Sequence, residues 1–317
     1  MTGRERKEAF EALAYLSPWI IGFLVFTAGP IGFSLYLSFC KWDVINPIEF
    51  VGVANYRYMA RDPLIAKSLL NTAYYAGLFI PLSISVALGL AMLLNQKVRG
   101  LGVFRTMFYL PTLTQGVTTY TLWSVVFEPE GGPLNRFLRL VLGLHIRPDF
   151  DFRLSPPDLS VQWHRIAAEA PGWLVDPAWA KPALVIMALW AVGGTMIIFL
   201  AGLQGIPASL YEAADIDGAG GFAKFRNVTL PMLSPTIFFN VIMTTIGSFQ
   251  VFGAAFILTG GGPSNSTMFY VYYLFNRAFV YFNMGYASAM AWFLFALVLA
   301  LTIFQLKMAP RWMHYGN

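Results

Sequence analysis

The sequence predicts an all-α protein that crosses a membrane several times. Three observations predict it: six long apolar segments, no Asp, Glu, Lys or Arg within any of them, and a composition 57% hydrophobic but only 12% charged. A soluble globular domain carries about 25% charged residues. A chain of 317 residues with that deficit has too little polar side chain to cover its surface.

The segments are Leu16–Cys40, Leu69–Leu94, Thr106–Phe127, Pro182–Leu203, Pro235–Leu258 and Gly285–Leu306, each of at least 22 residues. At a rise of about 1.5 Å per residue that is roughly 33 Å, enough to cross a hydrocarbon layer of about 30 Å. Lipid offers the backbone no hydrogen-bond partner, so segments of this length must be helices. The chain divides accordingly into an N-terminal piece 1–15, a six-span domain 16–306 and a tail 307–317.

Basic residues set the expected orientation. Pieces 1–15, 95–105, 204–234 and 307–317 carry ten Lys and Arg together, whereas loops 41–68 and 259–284 carry five. Loop 128–181 carries six with seven acids, but loops of that length weigh little in the positive-inside rule. Both termini are therefore expected in the cytoplasm. The net charge of +5 fits cytoplasmic loops and does not call for nucleic acid. Trp19, Trp42, Trp123, Trp190, Tyr270, Tyr272 and Tyr273 are expected as anchors at the two membrane surfaces.

The first segment is too long for a signal peptide, and no small-residue cleavage site follows it. Leu37-Ser38-Phe39-Cys40 has a bulky residue before its cysteine, which argues against lipidation. Cys40 is the single cysteine, so there is no internal disulfide and no cysteine-rich metal site. His145, His164 and His314 lack ligand spacing. Loop 128–181 is rich in proline, with short helices expected near Leu134–Leu144 and Ser160–Ala170. It is either a small subdomain or an ordered excursion without a task of its own.

Loop 204–234 is the most informative stretch. Pro207 suits a first helical turn, Ser209 with Glu212 three residues on suits a capping box, and Gly218 suits a helix end. Leu210, Ala213, Ala214 and Asp217 share one helical face. The pattern predicts a short exposed helix, a glycine break, then a second helix from about Phe222. A short helix pinned between two spans moves with them, so it can relay force from a soluble partner.

Glu212-Ala213-Ala214, Asp217-Gly218-Ala219, then Phe225, Val228, Leu230 and Pro231 resemble the EAA loop of ABC importer permeases. Phe50-Val51-Gly52-Val53-Ala54-Asn55-Tyr56, Leu110-Pro111, Ala201-Gly202-Leu203-Gln204-Gly205-Ile206-Pro207 and Thr259 to Pro263 resemble its carbohydrate branch, the maltose, lactose and glycerol-3-phosphate permeases. The resemblance covers about residues 15–306 and departs in roughly 144–171.

It implies a type I ABC importer permease in the cytoplasmic membrane of a prokaryote. Such a subunit translocates a mono-, di- or oligosaccharide and catalyses no bond chemistry. The implied partners are a second homologous permease, two ATPase subunits or a homodimeric ATPase, an extracytoplasmic binding protein, membrane lipid and the sugar. Glu212, Ala213, Ala214, Asp217, Gly218, Ala219, Phe225, Leu230 and Pro231 would couple to the ATPase. ATP and its magnesium would sit on that partner, and this chain would carry no cofactor.

Read directly, the residues agree. There is no Walker A sequence, and Gly218-Ala-Gly220-Gly-Phe-Ala223 lacks the strand a dinucleotide site needs. The uncharged spans argue against a proton-coupled carrier. Asn240, Thr244 and Ser248 form an i, i+4, i+8 stripe, with Thr245 and Gln250 nearby. Such groups either face a sugar pathway or bond their own backbone and neighbouring helices. By resemblance, Trp190, Val192 and Thr195 lie at the same depth as Thr244, Gly247, Ser248 and Val251, near the family's sugar site. A glycerol-3-phosphate or polyol importer is the transport alternative. A sensor or scaffold that does not transport is the alternative of another class.

Overall fold

A computed structural model describes residues 3–96, 99–114, 116–142 and 171–311. The helices, in chain order, are α1 (Gly3–Phe23), α2 (Gly29–Ser38), α3 (Ala54–Met59), α4 (Pro63–Leu94), α5 (Leu101–Leu113), α6 (Val117–Val126) and α7 (Pro133–Leu142). They continue as α8 (Pro177–Leu189), α9 (Gly193–Gln204), α10 (Ala208–Ile216), α11 (Gly221–Lys224), α12 (Leu230–Ser248), α13 (Tyr270–Phe275) and α14 (Met284–Met308). The only strands among the described residues are Cys40–Lys41 and Glu49–Phe50, an antiparallel pair that closes loop 42–48.

Among the described residues four uninterrupted helices are long and apolar enough to cross a bilayer: Phe10–Ser38, Pro63–Leu94, Gly221–Ser248 and Met284–Met308. Pro177–Leu189 with Gly193–Gln204 makes a fifth crossing if counted as one span, bent by 49°. The bend falls just before the Gly193-Gly194 pair, where two residues without side chains weaken the helix. The third segment, expected as one span over Thr106–Phe127, is instead two helices, α5 and α6. Gly116 separates them at φ 100°, a conformation no helix contains. At 13 and 10 residues they measure about 20 Å and 15 Å, so neither crosses alone.

Proline also shapes the continuous spans. One widened π turn, Leu24–Ala28, precedes Pro30, and another, Phe225–Thr229, precedes Pro231. A proline has no N–H and its ring crowds the carbonyl four residues back. In both places the chain answers with a five-residue hydrogen bond, Gly29 to Leu24 and Leu230 to Phe225, and stays helical. The fifth span therefore begins well before the expected Pro235 and ends at Ser248 rather than Leu258.

The chain forms two compact units, Met1–Ile65 with Tyr273–Leu299, and Ala66–Tyr272 with Ala300–Asn317. In the first, Asn55 donates to the Ser38 and Cys40 carbonyls at 2.9 and 2.8 Å. Asp62 accepts from the hydroxyls of Tyr273 and Tyr286 at 2.5 and 2.9 Å and pairs with the Arg277 guanidinium at 3.2 Å. Burial raises the Asp62 carboxyl, but bonds from Tyr273, the Leu64 amide and Tyr286, with the Arg277 charge, outweigh it and hold the acid below its ordinary value.

The second unit has two apolar cores. One gathers Tyr75, Phe127, Trp173, Leu184, Phe269 and Tyr272. The other gathers Leu88, Met196, Phe199, Leu203 and Leu233. Tyr270, Tyr272 and Tyr273 are buried, so the membrane-surface reading fails for these three, whereas Trp19 is exposed as expected. The helix expected near Leu134 is α7, and the one expected at Ser160–Ala170 lies outside the described residues. His145, His164 and His314 also lie outside them.

Candidate functional site: an uncharged cavity and the coupling loop

The loop 204–234 folds from local rules. Pro207, with ψ 132°, stands in extended backbone ahead of α10 and acts as its N-cap. Ser209 therefore sits inside the helix, and the capping box expected there does not form: no side chain caps this end. Proline sets the boundary two residues earlier because its φ already suits entry into a helix. At the other end Gly218 takes φ 72°. Its N–H donates to Asp215 O at 3.0 Å, and Ala219 N–H donates to Ala214 O at 2.9 Å. These are the two bonds of a Schellman cap.

Two side-chain contacts then pin α10 to the next helix. Lys224 pairs with Asp215, and the Tyr211 hydroxyl bonds the Thr229 hydroxyl at 3.0 Å. Neither pairing was read from the sequence, since Tyr211 and Thr229 are 18 residues apart. The expected coupling residues divide. Glu212, Ala213, Asp217 and Gly218 are exposed, with Ala214 and Ala219 half-buried beside them. Phe225 and Leu230 pack against the Leu203–Leu233 core and Pro231 is half-buried, so these three hold the loop in place. Ile216 and Phe222 are exposed apolar residues flanking the turn, and sequence reasoning passed over both.

Above this loop lies a cavity of about 430 Å³. From α4 it takes Tyr75, Phe79 and Ser83. The α8–α9 bend and α9 give Ala191, Val192, Gly194, Thr195 and Ile198. The third wall is Phe239, Asn240, Met243, Thr244, Gly247 and Ser248 of α12, with Val251. Six of the seven pathway residues expected from the sequence therefore meet here: Thr195, Asn240, Thr244, Gly247, Ser248 and Val251. Trp190 does not. It sits at the C-terminal end of α8, edge-to-face with Trp123 at 5.9 Å.

The polar stripe lines the cavity and also bonds its own backbone. Ser248 donates to Thr244 O at 2.6 Å, Thr245 to Val241 O at 2.7 Å, and Asn240 to Thr236 O at 2.9 Å. Thr245 turns away to accept from Gln305 at 2.9 Å. Among the described residues the Asn240 Oδ1 and the Thr195 and Thr244 hydroxyls have no hydrogen-bond partner. The Tyr75 and Phe79 rings stack at 5.5 Å. Tyr75, Phe79 and Ser83 repeat the i, i+4, i+8 spacing of the α12 stripe, a signal that could have found the opposite wall.

Among the described residues no Asp, Glu, Lys or Arg lines this cavity. A larger one, about 740 Å³, is bordered by Phe127, Glu128, Leu174 and Pro263. It shares no lining residue with the stripe, so the smaller cavity is the better candidate. Among the described residues no His, Cys, Asp or Glu cluster could hold a metal.

Comparison with known proteins decides the kind of molecule. The family described as binding-protein-dependent transport system inner membrane component matches residues 67–314. The chain belongs to that family. It is 38% identical to a probable ABC transporter permease protein of Bacillus subtilis, over 98% of this chain and 94% of that protein. It is 33% identical to an sn-glycerol-3-phosphate transport system permease protein of Agrobacterium fabrum, covering 96% of this chain and 97% of the relative. It is also 33% identical to a lactose transport system permease protein of Rhizobium radiobacter, covering 92% and 91%.

A solved bacterial ABC transporter, involved in import of the acidic polysaccharide alginate, has a chain that superposes with a TM-score of 0.77. It covers 97% of this permease and 98% of that chain at 22% identity, which speaks to fold. The same kind of transporter has been solved with a pentasaccharide-bound periplasmic protein. This permease is thus a transport subunit with the all-α architecture of ABC importer permeases, and the described residues are compatible with six crossings.

Proposed function

We propose that this permease carries an uncharged sugar across the cytoplasmic membrane of a prokaryote as half of a heterodimer with a second, similar subunit. A binding protein delivers the sugar from outside. Two ATPase subunits, which hold ATP and magnesium, engage α10 from the cytoplasm, where both termini also lie. This chain needs no cofactor. Its own work is a population shift between two packings, biased by what binds α10.

The observation that carries this reading is the joining of two features on one rod. The helix from Gly221 to Ser248 starts at the loop beside α10 and ends in the cavity wall. The cavity chemistry suits a sugar: hydroxyls and an amide for its polar edges, and the Tyr75–Phe79 pair for its apolar face.

A glycerol-3-phosphate reading has one finding in its favour, the printed name of a relative. Phosphate would want a cation, and the cavity lining has none. A polyol fits the lining as a sugar does. A sensor or scaffold would have no use for a continuous rod between loop and cavity. The test is reconstitution of the assembled transporter with its ATPase and binding protein in liposomes. Uptake of a neutral saccharide with ATP hydrolysis is expected. Uptake of glycerol-3-phosphate in its place overturns the substrate class, and failure of any ATPase to co-purify overturns the transport reading.

A further inference from the structure

We propose that α7, Pro133–Leu142, lies in the bilayer surface on the side of loop 128–181, with one face in the headgroup–acyl boundary of that leaflet. The helix has two differently treated faces. On the inner one Asn135 is fully buried. It donates to Pro129 O and Pro171 O at 2.9 and 3.2 Å and accepts from Trp173 Nε1 at 2.7 Å. Leu134 and Leu138 pack on the core that holds Phe127 and Trp173. Arg139 folds back onto the Glu130 and Pro129 carbonyls. The helix is therefore clamped in one rotation.

That clamp leaves Phe137, Leu140 and Val141 facing outward, 60%, 85% and 58% exposed. At about 100° per residue the three span an arc of roughly 100°, the width of an apolar stripe on an amphipathic helix. Exposed Arg136 borders the arc. Water is a poor neighbour for three large apolar side chains held rigidly side by side.

The surroundings of α7 point to lipid as the occupant. α6, only a few residues before α7, exposes Leu122 and Val125. In a membrane-embedded permease such side chains face acyl chains. The α7 arc adds three more exposed apolar side chains close after α6 in the chain. An Arg beside Phe and Leu is the composition of a helix lying in an interface, its guanidinium at the level of the phosphates.

The single native cysteine makes the test clean, because Cys40 is buried and can be replaced by serine. In that background Leu140→Cys, and separately Val141→Cys, carry a bimane label. Glu130→Cys, at an exposed polar position in the same loop, is the control. The assembled transporter is placed in phosphatidylcholine–phosphatidylglycerol nanodiscs containing lipid spin-labelled near the headgroup. Iodide reports access from water. We expect spin-labelled lipid to quench Leu140 and Val141 at least three-fold more than Glu130, with iodide giving the reverse order. Iodide quenching at Glu130 levels would show a water-exposed face and overturn the proposal. Quenching by neither agent would show a protein cover, and protection from lipid on adding binding protein would show a docking face; either overturns it too.

Discussion

Replacing Gly218 by valine isolates the cap of α10 from every other property of the loop. Gly218 holds φ 72°, and a Cβ built there meets nothing within 4 Å. The cost is therefore conformational, not steric crowding by neighbours. An L residue in the left-handed region costs roughly 1–2 kcal/mol, and a β-branched one falls at or above the top of that range. If the cap gives way, the bonds from Gly218 and Ala219 to Asp215 and Ala214 go with it. A penalty of about 1–3 kcal/mol lowers the population of the capped loop by roughly 5- to 150-fold, and weakens ATPase binding by the same factor if only that form binds. Asparagine tolerates this conformation, so affinity should rank Gly, Asn, Ala, Val from strongest to weakest. The assay is titration of the purified permease complex with its ATPase, alongside membrane yield to confirm insertion. Wild-type affinity for Gly218→Val, or an order in which Asn ranks below Ala, would refute the argument that this turn presents α10.

Thr244→Val removes a hydroxyl that faces the cavity at nearly constant volume; sugar uptake should fall several-fold while assembly and basal ATP hydrolysis persist, and unchanged uptake would make the stripe structural. Asp62→Asn should lower thermal stability by about 1–3 kcal/mol at neutral pH, since it takes the charge from a buried acceptor of three side chains. Because the folded acid is held below its ordinary value, its contribution is present above the unfolded pKa of about 3.9 and is lost as pH falls through the folded one. Wild type and variant should therefore converge in acid, and a gap that widens on acidification would contradict the sign. For topology, a cysteine at position 317 should resist an impermeant thiol reagent in intact cells and one at position 158 should react; the opposite pattern would invert the orientation.

What could be read from the sequence was what depends on near neighbours. Gly218 stood out because a helix end needs a left-handed residue within one turn. The α12 stripe stood out because its spacing is helical. The interruptions did not, because they depend on which carbonyl a distant turn can reach. Pro30 fell inside a span read as continuous and Pro231 inside loop 204–234, and at both a five-residue hydrogen bond carries the helix past the proline. The third segment read as one span by hydropathy, which does not register that Gly116 leaves helical space. Tyr270, Tyr272 and Tyr273 have the composition of membrane-surface anchors. Tertiary contacts decide otherwise: Tyr273 serves Asp62, and the Thr72 hydroxyl accepts from the Tyr270 amide. Trp190 was placed at the depth of the stripe by resemblance alone, which does not register the 49° bend next to it.

The same bend and rod suggest where motion would enter the cavity. Gly221 to Thr244 is about 35 Å of unbroken helix, stiff because the π turn keeps it hydrogen-bonded. The facing wall, Tyr75 to Ser83 on α4, ends instead at Leu94, whose carbonyl accepts from Arg105 at 3.0 Å. A displacement of α10 therefore acts first on one wall of the cavity. Among the described residues two polar side-chain pairs link it to that wall, Lys224 with Asp215 and Tyr211 with Thr229. The ion pair is partly exposed at the surface and contributes little, typically 0–1 kcal/mol. The half-buried hydroxyl pair is the stiffer link. Tyr211→Phe keeps the ring and removes the bond. The variant should bind the ATPase with near wild-type affinity, because the exposed face of α10 is unchanged. Sugar-stimulated ATP hydrolysis should drop towards the basal rate, since a ligand in the cavity no longer biases the loop. Loss of binding and stimulation together would mean that Tyr211 only shapes the docking face. Retention of both would mean that coupling passes through backbone alone.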